Sequence, residues 1–368
     1  MLLTLSPPSR AFQHVPPKRI RSTEGSRRKR ARIATLLGCA CVIAAQLGMS
    51  FAVEIAQPEW RDPEYGVRIE RLRELRSTHP HRPLVVAVGS SRTQMALRPQ
   101  EMGFGAEPVS PLVFNFGQAG AGPLLQYLTL DRVLRAGIKP DFLLIELFPP
   151  TLSVESLGEQ MVPRWQTRFT LDDIRFLEPY CTNSSLLRQQ WASNRIAPWH
   201  TYRHFLIGHW QPEWQPAFTR LDDTWEHVDS HGWESFPLEP YADYWRERWI
   251  GVYRDIYGRQ LQRLRTGGLP DRILRDLVNR CHSEGIAVAF YRLPEGPAFR
   301  SWYPPEVRTA TDAYLQALSS ELGVPLFKVS EEFAEEEFAD SHHLLTAGAA
   351  RFSHLFAEQC LRPWLGGE

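Results

Sequence analysis

Two stretches of this chain carry residue types that together can perform nucleophilic catalysis. The stretch VVAVGSSRTQ, residues 85–94, places two serines and an arginine directly after an apolar run that ends in glycine. A serine hydroxyl is a weak nucleophile unless a base takes its proton, and that base needs an acid to orient it. The stretch DSHH, residues 340–343, supplies such a pair. We therefore predict Ser91 as the nucleophile, His343 as the base and Asp340 as the orienting acid.

The three-residue spacing of the acid and the histidine supports this prediction. One turn of chain can bring the Asp340 carboxylate under the His343 imidazole and fix the tautomer that leaves the other ring nitrogen facing the serine. Two plainer interpretations stay open at this point. Strand ends are rich in turn serines, so Ser91 can be an ordinary turn residue, and His343 can simply precede a helix. His342 is expected to be a surface or packing histidine.

The surrounding pattern predicts how these residues are positioned. Apolar runs that read as buried strands occupy residues 83–89, 111–117, 140–148, 286–293 and 324–330. Helical periodicity occupies residues 123–137, 271–285, 306–323 and 346–361. Strands that alternate with helices predict an α/β fold with a central parallel sheet covered on both faces. Binding sites in such sheets lie at the carboxyl ends of the strands, and Ser91 follows one of those ends.

Residues 151–265 interrupt this alternation. They hold nine of the twelve tryptophans and five histidines, and they contain no strand-like run. We predict a mostly helical, Trp-rich insertion that caps the sheet. Its tryptophans either pack the core of the cap or line a groove for a sugar or an acyl chain.

The N-terminal region predicts a membrane anchor. Residues 1–34 hold nine Lys/Arg and one acid, and residues 33–53 are apolar for 21 positions, with Gln46 as the strongly polar exception. A helix of that length spans about 30 Å, the thickness of a bilayer core. We predict a disordered cytoplasmic tail over 1–32, a transmembrane anchor over 33–54, a stalk over 55–82 and an exported body over 83–368. The alternative is a signal peptide cleaved before Val53.

Composition excludes several other classes of protein. A chain with 43% hydrophobic and 23% charged residues is globular rather than disordered. Beyond residue 34 there are 33 basic and 41 acidic side chains, so no nucleic-acid partner is expected. The five cysteines form no CxxC pair and no zinc-type spacing, and we predict no metal and no cofactor. The GxSxG motif of the other common serine-hydrolase fold is also excluded, because Thr93 occupies the position of its second glycine.

Three motifs together resemble the conserved blocks of the SGNH, or GDSL, hydrolases. GSS at 89–91 resembles their Gly-Asp-Ser block, with Ser90 in place of the usual aspartate. NFGQAG at 115–120 resembles the Asn-x-Gly-x-x-Gly block, and DSHH resembles the Asp-x-x-His block. The blocks follow in the family's order and cover residues 83–150 and 267–361, outside the insertion. The overall layout is similar to that of the membrane-anchored members of this superfamily that act in the cell envelope.

The resemblance implies a flavodoxin-like three-layer α/β/α sandwich with the triad Ser91, Asp340 and His343. It also implies that the backbone N–H groups of Ser91 and Gly120 bind the oxyanion. The family's third block carries an asparagine that donates to the same oxyanion, but the matching stretch here, IELFPPTL at 145–152, has none. Losing one such donor costs about 10²–10³ in rate. Arg92 and residues of the insertion are the candidate replacements.

These observations predict an extracytoplasmic serine esterase or O-acyltransferase that acts on an acylated, carbohydrate substrate. Its expected partners are an acylated envelope glycan or small ester and the lipid bilayer. The competing hypothesis is a catalytically inactive relative that binds an envelope glycan or helps to assemble an envelope complex. The missing asparagine favours that alternative, whereas the complete set of serine, aspartate and histidine favours the enzyme.

Overall fold

The structure is a computed structural model that describes residues 23–56, 60–105, 107, 109–154, 166–215, 227–236 and 242–366. Helix α1, Thr23–Phe51, continues into a π-helical turn, Ala52–Ala56. Within this region Gly25–Ile55 is long and apolar enough to cross a membrane. Of the tail predicted to be disordered, residues 1–22 lie outside the described part, whereas residues 23–32 are helical.

The predicted parallel sheet is confirmed. Its strands are β1 (Leu84–Gly89), β2 (Leu112–Gly117), β3 (Phe142–Glu146), β4 (Ala287–Arg292) and β5 (Leu326–Lys328). All neighbouring pairs are parallel, and the strand order is β2-β1-β3-β4-β5. This is the 2-1-3-4-5 order of flavodoxin-like folds, in which ligands bind where the winding direction reverses, between β1 and β3.

Helices surround the sheet. In chain order they are α2 (Pro63–Thr78), α3 (Ser91–Ala96), α4 (Pro123–Arg135), α5 (Leu171–Leu177), α6 (Ser184–Ile196), α7 (Pro198–Trp210), α8 (Asp243–Gln262), α9 (Gly268–Glu284), α10 (Pro297–Arg300), α11 (Pro305–Leu322), α12 (Thr346–Phe356) and α13 (Arg362–Gly366). Gly285 ends α9 in a left-handed conformation, φ 67°, which glycine adopts without strain.

Successive residues of β1 point to opposite faces, and each face has its own hydrophobic core. Val86 and Val88 pack with side chains of α2, α4, α9 and α11, whereas Val85 and Ala87 pack with α12 and Ala96 of α3. Because β1 is fully buried between these layers, it consists of apolar residues without polar alternation. The folded unit is thus an α/β structure with helices on both faces of the sheet.

Helix α2 lies inside the segment predicted as a stalk and belongs to the core. Its Ile69 and Leu72 are buried with the residues of β1 and β2. Its Arg68 is fully buried and pairs with Glu234 of the insertion at 2.9 Å. Nearby, Arg132 of α4 bridges Asp62 and Asp173 at 2.7 Å each. Buried ion pairs therefore join α2 and the residue before it, Asp62, to α4 and to the insertion.

The described part of the insertion consists of helices, turns and one isolated bridge between Ser153 and Thr266. Its tryptophans differ in environment: Trp233 is buried and donates to Met95 O at 2.8 Å, whereas Trp214 is 74% exposed. Trp165 and Trp225 lie outside the described residues. Helix α8 of the insertion reaches the edge of the sheet where Ser91 lies.

Candidate functional site

Ser91 is the first residue of helix α3, directly after β1. Ser90 caps this helix by accepting from Arg92 N at 3.2 Å. Two glycines let α3 lie very close to the strand ends. A Cβ at Gly89 would stand 1.8 Å from Thr93 Oγ1, and a Cβ at Gly117 would stand 2.3 Å from Gln94 N. The sharp turn from strand to helix therefore depends on both glycines.

Asn115, the first residue of the motif NFGQAG, binds the backbone of α3 through its side chain. Its side-chain amide donates to Thr93 O at 2.8 Å and to Leu97 O at 2.7 Å, and its Oδ1 accepts from Gly117 N at 2.8 Å. The side chain is fully buried, and its amide also donates to Gln94 O at 3.2 Å. Asn115 thus orients the helix that carries Ser91.

Glu146 is a site residue that the sequence reasoning missed. It ends β3, is buried, and its Oε2 accepts from Ser90 N at 2.6 Å and from Thr93 Oγ1 at 2.8 Å. Its other oxygen lies 3.8 Å from the Arg92 guanidinium. The sequence does contain a sign of its role, because Glu146 is the one charged residue in the apolar run FLLIELF. A buried carboxylate of this kind needs partners, and here it holds the turn before Ser91.

The structure brings the three predicted catalytic side chains together. Ser91 Oγ lies 2.7 Å from His343 Nε2, and His343 Nδ1 lies 2.6 Å from Asp340 Oδ2. The backbone N–H of His343 also donates to Asp340 Oδ1, at 2.8 Å. These separations are those of direct hydrogen bonds. Ser91 and His343 are 252 positions apart in the sequence, and they meet because both follow the carboxyl edge of the sheet.

The charge on Asp340 settles the direction of these bonds. Burial opposes ionisation of this carboxyl, but the neighbouring His342 and His343 outweigh it and hold its pKa well below the usual range. An ionised carboxylate only accepts, so His343 Nδ1 carries the proton and donates to Asp340. His343 Nε2 then presents its lone pair to the Ser91 hydroxyl, which donates to it. This is the arrangement in which a histidine can take the proton of a serine.

His342 is a packed histidine that also contacts Asp340. Its Nδ1 lies 3.0 Å from Asp340 Oδ1, and its ring stacks on Phe299 with centroids 5.2 Å apart. Tyr253 approaches the same ring edge-on at 4.3 Å. Burial lowers the pKa of His342 to about 4, so this side chain is neutral at neutral pH.

Ser341 shapes the turn that holds these groups. It has φ 71°, a left-handed conformation that is uncommon for residues other than glycine. Its Oγ accepts from Phe299 N at 2.9 Å, and its carbonyl accepts from Gly296 N at 2.7 Å. These bonds to the loop after β4 support a conformation that would otherwise cost of order 1–3 kcal/mol.

A small pocket opens beside Ser91. It has a volume of about 70 Å³ and is lined by Ser90, Ser91, Arg92, Gly120, Gly122, Phe148, Pro150, Thr151, Tyr257 and His342. Gly120 has φ 73°, which favours glycine at this position. The structure therefore places Gly120 and Ser91, both expected to bind the oxyanion, in the wall of one cavity.

Arg92 does not replace the missing asparagine, because its guanidinium is already engaged. Arg92 Nε donates to His342 O at 3.2 Å, and one terminal nitrogen donates to Leu293 O and Pro294 O at 3.1 and 2.8 Å. The other terminal nitrogen faces Glu146. The buried Arg92 side chain thus connects α3 to the loops after β4 and β5 through hydrogen bonds.

The donor atoms of Asp340, His342 and His343 lie within 4.8 Å of one another, which is close enough to share a metal ion. The same three groups are also satisfied without a metal. Each carboxylate oxygen of Asp340 lies within hydrogen-bond distance of an imidazole Nδ1, and Oδ1 also accepts the His343 backbone N–H. In the hydrogen-bonded arrangement His343 Nδ1 lies at Asp340 Oδ2, and His343 Nε2 lies at Ser91 Oγ.

No model of a known protein family matches the chain, and no curated protein is significantly similar to it.

Proposed function

We propose that this protein is an SGNH-type serine esterase or O-acyltransferase. The observation that carries the proposal is the hydrogen-bonded chain from Ser91 through His343 to Asp340 beside a small pocket. Two further features support it. The site lies at the reversal point of a 2-1-3-4-5 sheet, and buried hydrogen bonds from Asn115 and Glu146 hold the helix that carries Ser91.

The mechanism follows from the direction of the hydrogen bonds. Ser91 Oγ attacks the acyl carbon while His343 Nε2 takes the serine proton, and the imidazolium is stabilised by Asp340. The carbonyl oxygen becomes an oxyanion, which accepts from the backbone N–H groups of Ser91 and Gly120. When the intermediate collapses, the leaving alcohol takes the proton from His343 and the acyl group stays on Ser91. A water or a sugar hydroxyl then attacks the acyl carbon and gives its proton to His343. His343 passes that proton to Ser91 Oγ as the bond between Ser91 and the acyl group breaks, which restores the free serine.

The proposed setting is the outer side of a membrane. The apolar helix Gly25–Ile55 is preceded by the run RRKRAR at 27–32, and such basic segments stay in the cytoplasm. The body would then meet acylated envelope polymers, and an acylated carbohydrate is the proposed substrate. The second candidate function, glycan binding without catalysis, is favoured by the missing third-block asparagine. If the protein only binds a glycan, Ser91→Ala should leave the affinity for that glycan unchanged.

Hydrolysis of a small activated acetyl ester by the detergent-solubilised full chain tests the proposal. Ser91→Ala and His343→Ala should each lower kcat on the order of 10³-fold or more, with no further loss in the double variant, because serine and base act as one unit. Ser90→Ala is the matched control and should matter much less. A chelator should leave the rate unchanged. Equal rates in wild type and Ser91→Ala contradict the enzyme, and a chelator-sensitive rate favours a metal at Asp340, His342 and His343 instead.

A further inference from the structure

The proposed oxyanion site has two backbone donors and lacks the side-chain donor that a third block would supply. In this chain the place after β3 forms a short 3₁₀ turn, Pro149–Leu152. Neither proline can donate a hydrogen bond from its backbone. Thr151 lines the pocket, but its hydroxyl donates to Phe148 O at 2.8 Å. The backbone N–H of Thr151 also donates to Phe148 O, at 2.9 Å, so the residues of the turn that line the pocket, Pro150 and Thr151, have no free donor.

Helix α8 of the insertion is fastened to this same turn. Gln260 Nε2 donates to Pro150 O at 2.6 Å. Tyr257 lies three residues earlier and so on the same side of the helix. The Tyr257 ring meets Phe148 edge-on at 5.6 Å and His342 edge-on at 5.6 Å. Two independent contacts thus hold the Tyr257 side chain against the pocket wall.

The hydroxyl of Tyr257 is available in that position. Tyr257 lines the pocket together with Ser91 and Gly120. Within the part of the chain that the structure describes, its hydroxyl has no hydrogen-bond partner. By contrast, the other long donor in the wall, Arg92, has its guanidinium directed to three carbonyls and Glu146. A phenol that is packed on its ring and unpaired at its oxygen is suited to receive a group from the pocket.

We infer that Tyr257 is a catalytic residue that donates the third hydrogen bond to the oxyanion, in place of the missing asparagine. The inference rests on the proposed function, because the oxyanion forms only if Ser91 attacks an acyl carbon. The hydroxyl keeps its proton throughout: it donates to the carbonyl oxygen as negative charge develops there and relaxes when the intermediate collapses. Burial raises the pKa of Tyr257 to about 12, so it remains a donor over the whole working pH range.

Tyr257→Phe in the full chain tests this assignment. The variant removes only the hydroxyl and keeps the ring contacts with Phe148 and His342. We expect kcat for an acetyl ester to fall about 10²-fold with little change in KM, the effect of losing one oxyanion donor. Affinity for a small boronic acid, which forms a tetrahedral adduct on an active serine, should fall by a similar factor. Tyr244→Phe, at a 66% exposed position of the same helix, is the control and should leave both quantities unchanged.

The outcomes separate the assignment from the function on which it rests. If wild type neither hydrolyses the ester nor binds the boronic acid in a Ser91-dependent way, the proposed function is wrong. If wild type does both and Tyr257→Phe equals it, only the role of Tyr257 is overturned. The same holds if Ser90→Ala shows the 10²-fold loss instead, because the Ser90 hydroxyl is then the third donor. Matching melting temperatures of the variants establish that the losses do not come from unfolding.

Discussion

Asp340 serves two imidazoles at once, and only one of them faces the serine. Oδ2 accepts from His343, whose far nitrogen reaches Ser91, whereas Oδ1 lies 3.0 Å from His342 Nδ1. The sequence predicted the roles of Asp340 and His343 from their spacing. It could not predict that His342 is held in a cluster of aromatic rings, because Phe299 and Tyr253 come from distant parts of the chain. The same reason explains why the pocket-lining position of Tyr257 was invisible.

His342 predicts a loss of stability in mild acid. The folded protein binds its proton only below about pH 4, whereas the unfolded chain binds it below the ordinary pKa of 6.5. Between these values unfolding takes up a proton, so stability present above pH 6.5 is lost as the pH falls towards 4. The charged or titratable groups that act on His342 include Asp340, His343 and Arg92, and the rings of Tyr253 and Tyr257 pack against it.

The measurement is the free energy of unfolding of wild type and His342→Phe from pH 7 to pH 4. The phenyl ring keeps the aromatic packing and removes the titrating group. We expect a shallower pH dependence in the variant. Identical slopes would show that His342 does not titrate in this way.

At the scale of elements, the turn from β1 to α3 is the feature on which the site depends. Apolar runs predicted each strand to within a few residues, because a parallel strand buried on both faces needs continuous apolar side chains. The supports of the turn were harder to predict. Glu146 and Asn115 act through partners on other strands, and Arg68 of the polar segment before β1 is buried against Glu234. Those pairings depend on tertiary contacts that no local pattern encodes.

Gly117→Ala tests the dependence of the site on this turn. The new Cβ would lie 2.3 Å from Gln94 N, a backbone atom that cannot swing away, so α3 must shift. We expect a destabilisation of about 1–3 kcal/mol and, because a shift of about 1 Å misplaces the nucleophile, a fall in kcat of about 10²-fold. Gly251→Ala in α8, where nothing lies within 4 Å, is the control and should not lower either quantity. A fully active, equally stable Gly117→Ala protein would show that the close approach is dispensable.

At the scale of the molecule, a folded unit follows directly on an apolar helix. Residues 49–53 belong to the end of that helix and to the unit Met49–Glu368, in which Val53 is buried against Tyr202 and Leu206. Glu54 pairs with Arg195 of α6 at 2.6 Å and with Arg61 at 3.0 Å. The segment Met49–Ala56 is therefore packed within the unit Met49–Glu368.

This arrangement and the basic tail predict the topology. Protease added to cells with a permeabilised outer layer should digest residues 60–368 and leave a fragment that contains the basic tail and the apolar helix. Sequencing the N-terminus of the mature chain and probing each end with an antibody make the measurement. A protected body would reverse the orientation, and a mature chain that begins near Val53 would replace the anchor with a cleaved signal peptide.

The central claim is that Ser91 is a nucleophile activated by His343. Mass spectrometry of the full chain after reaction with a fluorophosphonate tests it most directly, because the probe reports an activated serine whatever the natural substrate is. We expect one adduct per chain, located on Ser91, and none in Ser91→Ala; His343→Ala should react far more slowly. An unlabelled wild type, or an adduct that persists in Ser91→Ala, would contradict the account.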